Sequence, residues 1–298
     1  MGKQKEDLRA EIEKKAKEIY CEMSDGTKVK ILDFNLAENP NKYTIFLIPG
    51  FTTVFLSWEI LVEILSKEFR ILYFESREKS SSIAPNRKVQ RSTTLRKMAY
   101  DIKEVTEQLE LDKQDYIILC SSAGGTILVE ALSEKWLNPT GAILVGPTME
   151  YHIQFIAPFL ITIVPDFMKN LFMPLFRWFL GKFHVDKKEH PKQYAKYARS
   201  GEEAILRKIR RVLREMYRYN CWHMPHKIET RTLIIGASTD KVHATEEAIR
   251  THELIPNSSY IDLGDNIAAH TQPMADALMD FIKEIEKKIK GLRMDELR

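Results

Sequence analysis

The chain has 298 residues, 44% of them hydrophobic, and its 45 basic and 42 acidic side chains leave a net charge of +3. That much apolar material excludes a disordered chain and fills one large domain or two medium ones. The near-balance of charge lacks the basic excess of a nucleic-acid-binding protein, and three widely spaced cysteines make a poor disulfide framework.

The Lys- and Glu-rich stretch 4–20 carries Leu8, Ile12, Ala16 and Ile19 at helical spacing, which predicts an amphipathic leader helix. It has no apolar signal-peptide core, and Glu6 stands where a myristoylation signal carries Ser or Thr. The expected location is therefore the cytoplasm. A turn at Ser24-Asp25-Gly26 leads into a strand over Lys28–Phe34, and the unbroken apolar run Thr44–Ile48 predicts a strand buried on both faces. Ser57–Phe69 reads as a helix, Ile71–Phe74 as a strand and Ser80–Arg91 as a polar loop. Leu95, Met98, Ile102, Val105 and Leu109 mark one face of a helix over Thr93–Leu111. A strand over Tyr116–Cys120, a helix over Thr126–Trp136 and a strand over Ala142–Val145 follow.

The alternation then lapses from Tyr151 to Glu229, where only helical segments with Pro and Gly breaks are found. It resumes with strand Thr232–Ile235, helix Thr245–Leu254, strand Ser259–Leu263 and a helix from Pro273 to about Ile289. This order predicts an α/β fold: a mostly parallel sheet with helices on both faces, built from residues 1–150 and 230–298, and a helical insertion at 151–229. Within the insertion, Tyr151–Phe183 is the most apolar region, but Asp166, Lys169, Arg177 and three prolines divide it. It falls short of the ~20 apolar residues of a membrane span.

The segment Cys120-Ser121-Ser122-Ala123-Gly124-Gly125 joins a buried strand to a helix through small residues alone. A nucleophile elbow needs such a turn, because a sharp strand-to-helix bend lifts one serine hydroxyl above the sheet. The helix that follows aims its N-terminal N–H groups at any developing oxyanion. The usual spelling is G-x-S-x-G, and Cys120 occupies the first glycine position. The same residues also suit a helix-capping turn without chemistry. Cys120 is a poorer nucleophile candidate than Ser122, since it falls at the strand end and not at the tip of the turn.

A serine needs a base, and the base an orienting acid. Asp240 follows the next-to-last predicted strand, and His270 follows the last, before the final helix. Parallel strands end along one edge, where three such side chains can meet. Each alone also reads as an ordinary loop residue. Their order along the chain, Ser then Asp then His, favours catalysis. Asp265 is the second candidate acid but lies close to His270 in the chain.

With these residues in place, the sequence resembles the α/β-hydrolase family over nearly its whole length. Phe46-Leu47-Ile48-Pro49-Gly50-Phe51 is similar to the oxyanion segment, with Pro49 in the position usually held by His. Glu75-Ser76-Arg77-Glu78-Lys79-Ser80 is similar to the family's Asp-x-Arg-Gly-x-Gly-x-Ser stretch, with Glu75 for Asp and the glycines missing. Ala99-Tyr100-Asp101-Ile102 matches the helix before the elbow strand. The resemblance implies that Ser122 is the nucleophile, His270 the base and then acid, and Asp240 the orienting acid. It also implies an oxyanion hole from the backbone N–H groups of Phe51 and Ala123, one such donor being worth about 3 to 4 kcal/mol in the transition state. No metal or organic cofactor is implied. Relatives that cleave epoxides or haloalkanes use an aspartate nucleophile, which Ser122 argues against.

In this family a helical insertion after the strand corresponding to Ala142–Val145 forms a lid. Here it is rich in aromatic and aliphatic residues from Phe155 to Phe179, which serve either as its own core or as a surface for an acyl or alkyl chain. A second insertion helix over Glu202–Tyr219 carries Ile205, Ile209, Val212 and Met216 on one face and Arg207, Arg210, Arg211, Arg214 and Arg218 on another. Such a stripe is a solvated face, or it contacts an anionic membrane surface or an acidic substrate. The run Cys221-Trp222-His223-Met224-Pro225-His226 lacks further ligands at zinc spacing. The function read from these residues is hydrolysis of a carboxylic ester with a medium or long apolar group, the substrate being a small lipid-like ester. The alternatives are cleavage of an amide, thioester or C–C bond, acyl transfer on the same triad, and a non-catalytic binding member of the fold.

Overall fold

The structure, a computed structural model, describes residues 8–151, 191–239 and 245–296. Among the described residues one sheet has eight strands: β1 (Lys17–Glu22), β2 (Lys28–Phe34), β3 (Thr44–Ile48), β4 (Arg70–Glu75), β5 (Tyr116–Ser121), β6 (Gly141–Val145), β7 (Thr232–Gly236) and β8 (Ser258–Asp262). Their spatial order is β1-β2-β4-β3-β5-β6-β7-β8. β1 and β2 pair antiparallel, as do β2 and β4, and every other pair is parallel. This is the mostly parallel sheet that the alternation predicts.

The helices are α1 (Glu59–Leu65), α2 (Arg87–Arg91), α3 (Leu95–Gln108), α4 (Ala123–Ser133), α5 (Pro191–Glu203), α6 (Leu206–Met216), α7 (Thr245–Leu254) and α8 (Gln272–Glu296). Every residue of β3, β5, β6 and β7 is buried, because apolar layers cover both faces of the sheet. Leu95, Met98 and Ile102 of α3 pack with Ile127 and Leu128 of α4 and Val212 and Met216 of α6 on one face. Leu61 and Val62 of α1 pack with Met274, Leu278 and Phe281 of α8 on the other.

The leader helix does not form. Residues 8–16 hold a short 3-10 turn at Glu13–Lys15, and Lys17–Glu22 is an edge strand, while residues 4–7 lie outside the described ones. Pairing with β2, set by a turn in which Gly26 takes φ +78°, overrides the local helical pattern. Cys21 points into the core, while Lys17, Glu18 and Glu22 stay exposed and blunt the edge against further pairing. The polar loop after β4 ends in the short helix α2, capped by Asn86 Oδ1, which accepts from the Val89 N–H at 2.9 Å. The predicted helix over Glu202–Tyr219 is two helices, parted where Ile205 is extended. The apolar stretch from Phe155 to Phe179 lies outside the described residues. No helix among the described residues is long and apolar enough to cross a membrane.

Candidate active site

Ser122 sits between β5 and α4 with φ 47° and ψ −120°, a region that L-residues occupy only under strain. Backbone hydrogen bonds on both sides hold it there. Its N–H donates to Val145 O at the end of β6 (3.0 Å), and its carbonyl accepts from Gly125 N (2.8 Å), closing the first turn of α4. That turn admits no side chain at position 124: a Cβ on Gly124 would stand 2.5 Å from Ile48 O and 2.9 Å from Pro49 O. The start of α4 therefore lies directly against the end of β3. Cys120 is buried, with Sγ donating to Ile143 O (3.4 Å), and burial pushes its thiol well above the ordinary range. A thiol so protonated and enclosed is no nucleophile.

Beyond β3 the chain turns through Pro49 and Gly50, where Thr53 N donates to Gly50 O (3.2 Å) and Thr52 takes φ 55°. A Cβ on Gly50 would lie 3.3 Å from Ser122 Cβ, so this loop borders the elbow. Phe51 and Ala123, the expected oxyanion donors, lie on either side of that border. Ala123 opens α4, where a backbone N–H has no acceptor within the helix.

His270 ends a short turn, Ala268–His270, immediately before α8. Its ring centroid is 4.3 Å from that of the fully buried Trp58, and Nδ1 lies 2.8 Å from Asn266 O. A carbonyl oxygen only accepts, so the neutral imidazole carries its proton on Nδ1 and leaves Nε2 as the acceptor. Asp265 Oδ1 accepts from the Ala268 N–H at 2.7 Å and so caps this turn.

Ser122, His270 and Phe51 line one cavity of about 330 Å³. Gly50, Ser122, Gly146 and Gly236, also in its wall, mark the C-terminal ends of β3, β5, β6 and β7. Such a rim is where open parallel sheets bind ligands. Asp240 lies outside the described residues. The preceding residue, Thr239, is tied to the loop after β8: its N–H and its hydroxyl both donate to Gly264 O, at 2.9 and 2.8 Å.

Beside the cavity lies a buried polar layer built on the Glu75–Ser80 stretch, whose contacts the sequence does not reveal. Glu75 to Lys79, at the end of β4 and beyond, are all buried. Glu78 accepts from the Ser76 hydroxyl (2.6 Å) and from Thr52 N (3.4 Å). Arg77 grips Asp101 with two bonds of 2.5 and 2.6 Å and Asp25 with one of 2.7 Å. From α6, Lys208 reaches into the same layer and donates to Lys79 O (2.7 Å) and Ser82 O (2.6 Å). Of the predicted basic stripe, Arg211 Nε donates to Thr93 O at 2.8 Å and its guanidinium pairs with Glu215 at 2.9 Å. Among the described residues no group of three or more His, Cys, Asp or Glu side chains is placed to hold a metal ion.

A family model described as Serine aminopeptidase, S33, matches residues 64–260. Among curated proteins no sequence matches the chain. Solved structures match nearly its whole length. One is an enol-lactonase from Burkholderia xenovorans, with TM-score 0.69, 16% identity, and coverage of 90% of this chain and 100% of that one. Another is a thermophilic esterase from Thermogutta terrifontis, at 0.66, 16%, 91% and 99%. A third is a bromoperoxidase from Bacillus anthracis, at 0.66, 19%, 90% and 100%. At such identities the likeness is one of fold, and chemistry has to be argued from the site.

Proposed function

Because the chain belongs to the serine aminopeptidase family of α/β-hydrolases, we propose that it hydrolyses a carboxylic ester through an acyl-enzyme formed on Ser122. The observation that carries this reading is the strained backbone at Ser122, φ 47°, in a cavity shared with His270. Strain at one serine between a buried strand and a helix is what an exposed nucleophile requires. In the reaction, His270 Nε2 takes the hydroxyl proton as Oγ attacks the carbonyl carbon. The imidazolium then returns the proton to the leaving alcohol, and water cleaves the acyl-enzyme by the same route in reverse. The Phe51 and Ala123 N–H groups receive the oxyanion. Asp240 is proposed as the acid of the relay, its carboxylate competing with Asn266 O for the Nδ1–H of His270; it adjoins Thr239, whose bonds to Gly264 draw the loop after β7 toward the one that leads to His270.

Residues 151–229 form the lid of this reading, and the apolar run from Phe155 to Phe179 gives it a surface for a medium or long acyl or alkyl group. An ester is favoured over an N-terminal peptide because the described wall of the cavity contributes a lysine, Lys196, and no carboxylate. An aminopeptidase needs a negative group to hold the substrate's ammonium.

A fluorophosphonate probe is expected to label the protein, and Ser122→Ala to abolish both labelling and ester turnover. A folded wild-type protein that takes no label would leave only a binding role for the fold. Among p-nitrophenyl esters from acetyl to palmitoyl, the rate is expected to peak beyond acetyl, and a steady fall from acetyl onward would defeat the apolar-acyl assignment.

A further inference from the structure

Lys196 and Ser200 stand one helical turn apart on α5, and both line the cavity that holds Ser122 and His270. Neither is needed by the chemistry above. The face they present is set from the opposite side of the cavity wall. Arg199, buried beside them, donates to both carboxylate oxygens of Glu13 at 2.5 and 2.6 Å and to Glu203 at 2.5 Å. Glu13 in turn accepts from Ala10 N at 3.2 Å, which roots α5 in the segment before β1. The helix is thus keyed to the body of the protein, with its lysine in the wall of the cavity that Ser122 also lines.

A half-buried ammonium is costly without a counter-charge. Arg199, on the same helix, has two carboxylates. Lys196 has none among the described residues, and burial pushes its ammonium below the ordinary lysine range. The other described side chains of the wall are neutral hydroxyls, an amide, the imidazole and apolar groups. Among the described residues of the wall, Lys196 is thus the one positive charge and has no carboxylate partner, and a hydroxyl stands at its side.

We infer that Lys196 and Ser200 hold a carboxylate borne by the substrate itself, so that the preferred ester is a half-ester or another ester carrying one free acid group. This inference rests on the ester-hydrolase reading of the same cavity. A single ammonium balances a monoanion, which favours a carboxylate over a doubly charged phosphate ester. It also separates two ends of the substrate: the scissile carbonyl at Ser122 and the acid at α5.

The test compares monomethyl adipate with methyl hexanoate, equal in acyl length, by proton release at constant pH. The wild-type protein is expected to favour the half-ester by about 10-fold in kcat/KM, the worth of one charge-assisted hydrogen bond. Lys196→Met is expected to bring the ratio near one, and Lys196→Arg to keep most of it. A wild-type ratio of one or less, or a ratio that survives in Lys196→Met, overturns the inference. Should neither ester be turned over and no fluorophosphonate label be taken, the hydrolase reading fails by itself. Calorimetric titration with adipate then decides the anion site: binding lost in Lys196→Met supports it, and no binding by the wild-type protein overturns it. Tighter binding of inorganic phosphate than of adipate overturns the carboxylate assignment.

Discussion

Lys79 Nζ donates a 2.6 Å hydrogen bond to the carbonyl oxygen of Thr53, so the segment leaving β4 holds the loop that carries Phe51. The neighbouring Glu78 accepts from Thr52 N in the same loop and lies 3.5 Å from the Lys79 ammonium. These two side chains occupy a stretch where the family carries glycines. In the proposed reaction they are positioning residues, since neither lines the cavity.

Lys79→Met is expected to lower kcat for ester hydrolysis by about 10- to 100-fold while KM moves much less, because a small displacement of an oxyanion donor weakens the transition state alone. Steady-state kinetics on one activated ester checks this. A rise in KM with kcat intact would assign Lys79 to substrate binding instead.

Ser122→Gly and Ser122→Ala both remove the hydroxyl, yet they differ in backbone freedom. At φ 47° and ψ −120° alanine keeps the strain that serine bears, whereas glycine is nearly free of it. The glycine variant is expected to be the more stable of the two by about 1 kcal/mol, after allowance for the greater entropy of an unfolded glycine. Urea unfolding of both inactive variants measures the difference. Equal midpoints would mean that the elbow stores no strain.

Asp25 gives a pH dependence. Burial pushes its carboxyl up, but hydrogen bonds from Arg77, Lys97 and Thr27 outweigh that and hold it well below the ordinary range. A group whose folded value is depressed contributes stability above its unfolded value, about pH 4, and that stability is lost as acid titrates the folded carboxylate. Asp25→Asn is expected to cost about 1 to 2 kcal/mol at pH 7. The gap from wild type should narrow as the pH is lowered below about 4. Unfolding curves at pH 7, 4 and 3 test this. A gap independent of pH would assign the loss to packing of the turn at 24–26 and not to charge.

The central strands, the helix faces and the elbow at Ser122 were legible in the residues because each is a local pattern. Apolar runs such as Thr44–Ile48 mark strands buried on both faces, a 3.6-residue period marks α3, and small residues alone fit where the backbone of Gly124 meets Ile48 O. The order of Ser122 and His270 along the chain, each after a strand, was equally visible. Their presence in one cavity was not, since it depends on strands far apart in sequence ending along one rim. Tertiary pairing also decided the fate of residues 17–22, whose charged, helix-like spacing yielded to the ladder with β2. The same holds for Trp58 against His270, Lys79 against Thr53 and Lys196 in the cavity wall with Ser122. No short stretch of sequence encodes these contacts, because each is made by side chains that become neighbours only when the layers on either face of the sheet are packed.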